Sequence, residues 1–362
     1  MERFTLGYRR SLDGLRGIAI IAVVLSHVRT FPFGGGFFGV DLFFVLSGFL
    51  ITSLLLEEWR DTSDLRLRAF YARRALRLLP ALMLLLVVLV AVSAWRQPPA
   101  ESAKMRSAAL MALFYSANWF VAYKAFPREE LAATWSLSVE EQFYIVWPIL
   151  LLMMLRLKWS KAVIGAVIVA GMAASAGLRA YLWNTTGSWE RVYYGSDTHA
   201  DGLLAGALVA VLMSSGAIPR SAVGSRILNW AAHGMMVFLG FFLVRGWAAD
   251  PYLSQGGYLA LNLGAASIVY CLVCSPWPPL RMLCEFGPLV WLGKISYGVY
   301  LWHLAPGLLI TAAGLRPGDY GWAAGMAMTL ACATASYYLL ERPILRFKKR
   351  FERVGSAPAI SP

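Results

Sequence analysis

The chain has 362 residues, 59% of them hydrophobic and 15% charged, with a formal net charge of +13. One soluble core cannot hide that much apolar surface, so the composition excludes a soluble globular protein and points to a polytopic membrane bundle. The positive residues fall in short segments between apolar runs, as cytoplasmic loops demand, which argues against nucleic acid as a partner.

Arg3, Arg9 and Arg10 precede the first apolar run, 14–30. The pattern loosely resembles a signal peptide, but the run holds Arg16 and His27 and shows no small-residue cleavage site, so the first helix is expected to stay in the mature protein. Ten residues separate Arg16 from His27. On one helix they stand roughly 16 Å apart and on nearly the same face. A cation and a base at bilayer depth cost several kcal/mol unless they are used or paired. The first helix is therefore read as one wall of an active site.

Further apolar runs follow at 37–56, 78–95, 107–123, 139–155, 162–183, 200–214, 227–245, 257–275, 288–312 and 320–340. Charged segments at 57–77, with six arginines, and at 156–161, 220–226, 281–285 and 346–353 read as cytoplasmic, like the N-terminus. Only an even number of crossings separates two inside loops, so one of the three runs between 77 and 156 does not cross. The weakest is 107–123, which carries Asn118 and is followed by Lys124, Arg128, Glu129 and Glu130; it is expected to re-enter or stay in the outer half. The expected fold is an all-α bundle of about ten transmembrane helices with both termini cytoplasmic. Residues 1–350 form one transmembrane domain, and the short tail 351–362 is expected to be disordered.

Cys271 and Cys274 form a CxxC inside an apolar run, with no second CxxC or nearby histidine pair. They read as packing, and neither a metal nor a disulfide is expected. His233 also reads as packing.

With the N-terminus inside, Arg16 lies in the inner part of the first helix and His27 in the outer part. Asp41, Glu140 and His303 reach the depth of His27 from three other segments. A neutral imidazole needs an acceptor that fixes its tautomer and stabilises its charged form, and a buried carboxylate does both. His27 then reads as a general base oriented by Glu140 or Asp41. The competing reading is that each residue satisfies a buried polar partner or lines a water pocket. Inside, Arg74 and Arg77 are i, i+3 neighbours beside Arg73, two guanidinium forks that suit phosphates or merely anchor the chain at anionic lipid. Asp197 or Ser196 is either an N-cap or a substrate contact, and Asp201 lies deeper.

Several motifs together resemble one family. They are Arg16-x10-His27, the run Gly39-Val40-Asp41-Leu42-Phe43-Phe44-Val45-Leu46-Ser47-Gly48, Arg74-x-x-Arg77, Trp135-Ser136-Leu137-Ser138-Val139-Glu140, Ser296-Tyr297-Gly298-Val299-Tyr300-Leu301-Trp302-His303 and Glu341-Arg342-Pro343. In this order, over nearly the whole chain, they resemble the acyltransferase-3 family of bacterial membrane O-acyltransferases. The resemblance implies transfer of an acyl group, commonly acetyl, from cytoplasmic acyl-CoA to a sugar hydroxyl of an envelope polysaccharide, a glycolipid or a glycosylated small molecule. It implies a place in the bacterial cytoplasmic (inner) membrane. It matches Arg16 with His27 to the family's essential first-helix pair, Glu140 to a family position, and Arg74 with Arg77 to its cytoplasmic arginine motif, read here as the holder of the CoA phosphates. Beside these, Asp41 is taken as a catalytic candidate, Arg73 as a further phosphate contact, and Trp135, Asp201, Tyr297, Tyr300 and His303 as acceptor contacts. Some members carry a hydrolase-like domain after the membrane part, and this chain is expected to represent the membrane part alone. His199 departs from the family, many members having arginine in the Asp-Thr-x-Ala-Asp segment.

The alternative is a transporter or flippase that uses the same buried charges as a substrate or proton pathway. A purely structural scaffold would leave His27 and Glu140 without a use.

Overall fold

The computed structural model describes residues 5–27, 33–216, 222–274, 278–314 and 321–347, and the tail 351–362 lies outside them. The helices begin with α1 Arg10–Ser26, α2 Phe38–Thr62, α3 Leu67–Arg96, α4 Pro99–Leu113, α5 Ala117–Ala122 and α6 Thr134–Arg156. Next come α7 Lys161–Thr186, α8 Trp189–Tyr194, α9 Asp201–Ser215, α10 Ala222–Arg245, α11 Tyr258–Cys274 and α12 Pro278–Cys284. The last are α13 Gly287–Lys294, α14 Ser296–Trp302, α15 Pro306–Ala312, α16 Gly321–Ala335, a π-turn at Ser336–Glu341 and α17 Arg342–Leu345. No strand occurs among the described residues, in agreement with the all-α expectation.

Six helical stretches among the described residues are long and apolar enough to cross a bilayer, including Gly34–Thr62, Leu67–Arg96 and Lys161–Thr186. Val87, Ile145, Val237, Phe241 and Leu339 stand exposed on the helix surfaces. Such a surface is a liability in water and the ordinary exterior of a helix in lipid. The chain is a multi-pass membrane protein.

Two runs read as single segments are broken. Run 107–123 splits at Phe114–Ser116, where Tyr115 takes φ +52°, into α4 of 15 residues and α5 of 6. Neither piece reaches the roughly 20 residues of a straight span. Run 288–312 divides into α13, α14 and α15. Its first piece belongs to one compact unit and its remainder to another.

The first unit comprises Met1–Leu65 and Val139–Lys294, and the second Arg66–Ser138 and Ile295–Pro362. In the first, α2 packs along α9, α1 along α13, and α11 against α2 and α9. The α2–α9 approach is set by glycine: a Cβ at Gly48 would overlap the Leu203 carbonyl, and one at Gly206 the Val45 carbonyl. Without a hydrophobic drive between helices in lipid, such close backbone contact holds them together. Local signals delimit α7, whose N-cap Ser160 accepts from the Val163 N–H at 3.3 Å and whose end is Gly187 at φ +61°.

In the second unit α3 runs 30 residues through Pro80 and packs against α4, α14, α15 and α17. Arg128, buried, donates to Glu130 at 2.6 Å and to Glu101 at 2.9 Å, which ties the loop before α6 to α4.

Candidate active site

His27 is the C-cap of α1 and is exposed at the end of the helix. Its Nδ1 lies 2.8 Å from the Val23 carbonyl oxygen one turn back. A carbonyl only accepts, so Nδ1 carries the hydrogen and Nε2 of the neutral ring is the acceptor nitrogen. The acceptor that fixes the tautomer is thus a backbone carbonyl, supplied by the helix that carries the histidine. Farther down α1, Arg16 is half-buried and paired with Asp13 at 3.2 Å. Asp13 was missed in the sequence, although it sits three residues before Arg16, the spacing that brings two side chains together on a helix.

Asp41 does not orient His27. Its Oδ1 lies 2.8 Å from Nε2 of His199, and its Oδ2 makes no hydrogen bond. His199 has no exposed surface, and its Nδ1 is 2.6 Å from the Tyr193 carbonyl. Beside it Asp201, equally buried, receives Arg179 in a two-pronged pair at 3.0 and 2.7 Å. Both Asp201 oxygens are engaged by Arg179 in this buried pair. Arg179 also donates to the Thr198 carbonyl at 2.6 Å. It is the one charged residue in the apolar run 162–183, a signal that pointed to a buried partner. The N-cap of α9 is Ala200, while Asp197 pairs with Arg191 at 2.6 Å and Ser196 donates to Gln142 at 2.5 Å.

Glu140, on α6, accepts a hydrogen bond from Ser47 Oγ of α2. Ser47 in turn shares a 2.5 Å hydrogen bond with the Tyr144 hydroxyl, one turn along α6. One turn farther, Trp147 Nε1 donates to Thr52 at 2.8 Å. Residues 140, 144 and 147 share one face of α6. A polar ladder thus joins α6 to α2 and gives Glu140 a defined direction.

In the second unit Arg73, Arg74 and Arg77 lie in the first turns of α3, as the i, i+3 spacing requires, with Arg77 exposed and the other two half-buried. Arg77 lies within electrostatic reach of Glu341, which accepts from Ser336 at 2.8 Å. Tyr297 donates to the Leu78 carbonyl at 2.9 Å and Tyr300 to the Ala133 carbonyl at 2.9 Å, with Ser136 on Tyr300 at 2.5 Å. These hydroxyls tie α14 to α3 and to the start of α6. His303, half-buried, places Nδ1 2.5 Å from the Tyr300 carbonyl, and Trp135 is buried in the first turn of α6.

The chain matches the family model for an acyltransferase domain, acyltransferase-3, across residues 9–340. The peptidoglycan O-acetyltransferase OatA of Listeria monocytogenes is 35% identical over 360 residues, covering 94% of this chain and 56% of the relative. The O-acetyltransferase OatA of Staphylococcus aureus is 30% identical over 363 residues, covering 97% of this chain and 59% of the relative. The chain thus spans a little over half the length of the curated relatives it matches. No solved structure matches it. With most of its length inside the family model, and its motifs on the helices described above, the chain belongs to the acyltransferase-3 family.

Proposed function

We propose that this chain is an O-acyltransferase of the bacterial cytoplasmic membrane that moves an acetyl group from cytoplasmic acetyl-CoA to a sugar hydroxyl of a cell-wall glycan. Family membership and the names of the two relatives support the reading. One observation carries the chemistry: Nδ1 of His27 is held by the Val23 carbonyl, so Nε2 is the nitrogen that takes a proton.

In this reading Nε2 removes the proton of the acceptor hydroxyl as its oxygen attacks the thioester carbonyl. The C–S bond then breaks, and the CoA thiolate leaves with the proton returned by the imidazolium. Glu140, aimed by Ser47, favours the charged imidazolium. Arg74 and Arg77, with Arg73, take the CoA phosphates through charge-assisted hydrogen bonds. Arg16, neutralised in part by Asp13, offers the donor a further cation. His303 and Trp135 stay as proposed acceptor contacts.

The test is release of free CoA from acetyl-CoA by the purified protein in nanodiscs, offered peptidoglycan fragments and other envelope glycans. Acceptor-dependent release supports the proposal. No release with any acceptor, together with no acyl-CoA binding, moves the reading to a transporter.

A further inference from the structure

Asp41, His199, Arg179 and Asp201 form a sealed electrostatic group in the first unit. Arg179, His199 and Asp201 have no exposed surface, and Asp41 is 1% exposed. The edge of Phe44 and the rings of Tyr193 and Tyr258 pack around the imidazole at 5.4, 5.0 and 5.6 Å between centroids. The Arg179 guanidinium lies over Tyr258 at 5.1 Å. These side chains have essentially no surface open to solvent, so an uncompensated charge among them is costly.

Both ring nitrogens of His199 face oxygen. Nδ1 meets the Tyr193 carbonyl, which has no hydrogen to give, so Nδ1 is an N–H. Nε2 meets a carboxyl oxygen of Asp41. A neutral ring would set a lone pair against a carboxylate there unless the carboxyl held the proton. Both arrangements leave the buried group at zero, so the choice is where the one shared proton sits: an imidazole, with an ordinary pKa of about 6.5 against about 3.9 for an aspartate, holds it more tightly than the carboxyl.

We infer that His199 is held as an imidazolium, the cation that answers Asp41, and that it acts as a positioning residue for α2. Asp41 and Ser47 lie six residues apart on that helix, roughly 9 Å along its axis. The His199–Asp41 pair fixes the depth and rotation of α2, and so the place from which Ser47 holds Glu140. The link to Glu140 rests on the proposed acyl transfer; the charge on His199 does not.

The chain has four histidines, which makes them separable by nitrogen NMR of the 15N-histidine-labelled full chain in nanodiscs. At pH 8.5 an ordinary imidazole, with a pKa of about 6.5, is neutral. The expected spectrum holds one imidazolium signal that is absent in His199→Arg and present in His27→Ala. Four neutral rings, or an imidazolium that survives His199→Arg, overturns the inference whether or not the protein transfers acetyl groups. In activity, His199→Gln keeps a donor for Asp41 but loses the charge. It should lower kcat at least tenfold while leaving the KM for acetyl-CoA unchanged, and His199→Arg should recover most of that loss. The double variant His199→Gln with Asp41→Asn, again charge-balanced, should melt above the His199→Gln single variant. A His199→Gln protein with wild-type kcat and melting temperature contradicts the positioning role.

Discussion

His27 and Val23 are joined by a 2.8 Å hydrogen bond from the ring Nδ1 to the backbone oxygen, within a single turn of α1. The ring therefore has an orienting group within its own helix and needs no distant carboxylate to choose its tautomer. Replacement of His27 by Ala should lower acetyl transfer by about 10²-fold or more, the range of general-base contributions. Because the ring is exposed at a helix end, the yield and melting temperature of the variant should match the wild type. His27→Gln, which restores a polar side chain but no base, should be as inactive as His27→Ala.

Arg179 and Asp201 should behave as one buried unit. Removal of either partner alone leaves an uncompensated charge, a loss of about 3–5 kcal/mol in comparable buried pairs. Arg179→Met and Asp201→Leu should each reduce the yield of folded protein, and the double variant should recover much of it. Thermal melts of the detergent-solubilised variants supply the measurement, and additive losses in the double variant would contradict the pairing.

Arg74 and Arg77 should matter for the donor. Alanine at both is expected to raise the KM for acetyl-CoA at least tenfold with little change in the KM for the glycan. Unchanged donor affinity would leave these residues as anchors at anionic lipid.

Gly48 and Gly206 should tolerate no side chain. Alanine at either pushes its Cβ into a backbone carbonyl of the facing helix, which forces α2 and α9 apart. The expected result is a lower melting temperature and loss of transfer together, since Asp41 and Ser47 ride on α2. A control lies at Gly177, where a Cβ meets nothing within 4 Å. Gly177→Ala should be neutral or slightly stabilising.

The exposed Asp64–Arg156 pair gives the opposite expectation. The hydrogen bond from Arg156, at 2.9 Å, holds the Asp64 carboxyl below the usual carboxylate range. A depressed carboxylate adds stability that is present above its unfolded pKa and lost as the pH falls through the folded value. Full exposure screens the effect. At low salt Asp64→Asn should therefore melt slightly below wild type at pH 7, the difference should vanish as the pH falls through the folded value, and at physiological salt the two should match within error.

The helical membrane class and the Arg16–His27 arrangement were legible because they are local: apolar length, loop charge and helical periodicity all act within one segment. The breaks in 107–123 and 288–312 were not, since apolar composition alone does not reveal a left-handed Tyr115 or a chain that passes between two compact units. Buried polar residues were legible as special, but the partner of Asp41 was not. Asp41 seemed to belong with His27 because both lay at one depth; its partner is His199, 158 positions away in the chain. Depth along a helix follows from sequence, whereas rotation about its axis follows from packing, here from the glycine contacts of α2 with α9.

The most direct measurement follows a 13C-acetyl group from acetyl-CoA to a peptidoglycan fragment in nanodiscs, with wild type and His27→Ala side by side. The account predicts a 13C-labelled ester on a sugar hydroxyl with wild type and none above background with His27→Ala at equal folded protein. Equal ester formation by both proteins would contradict His27 as the base.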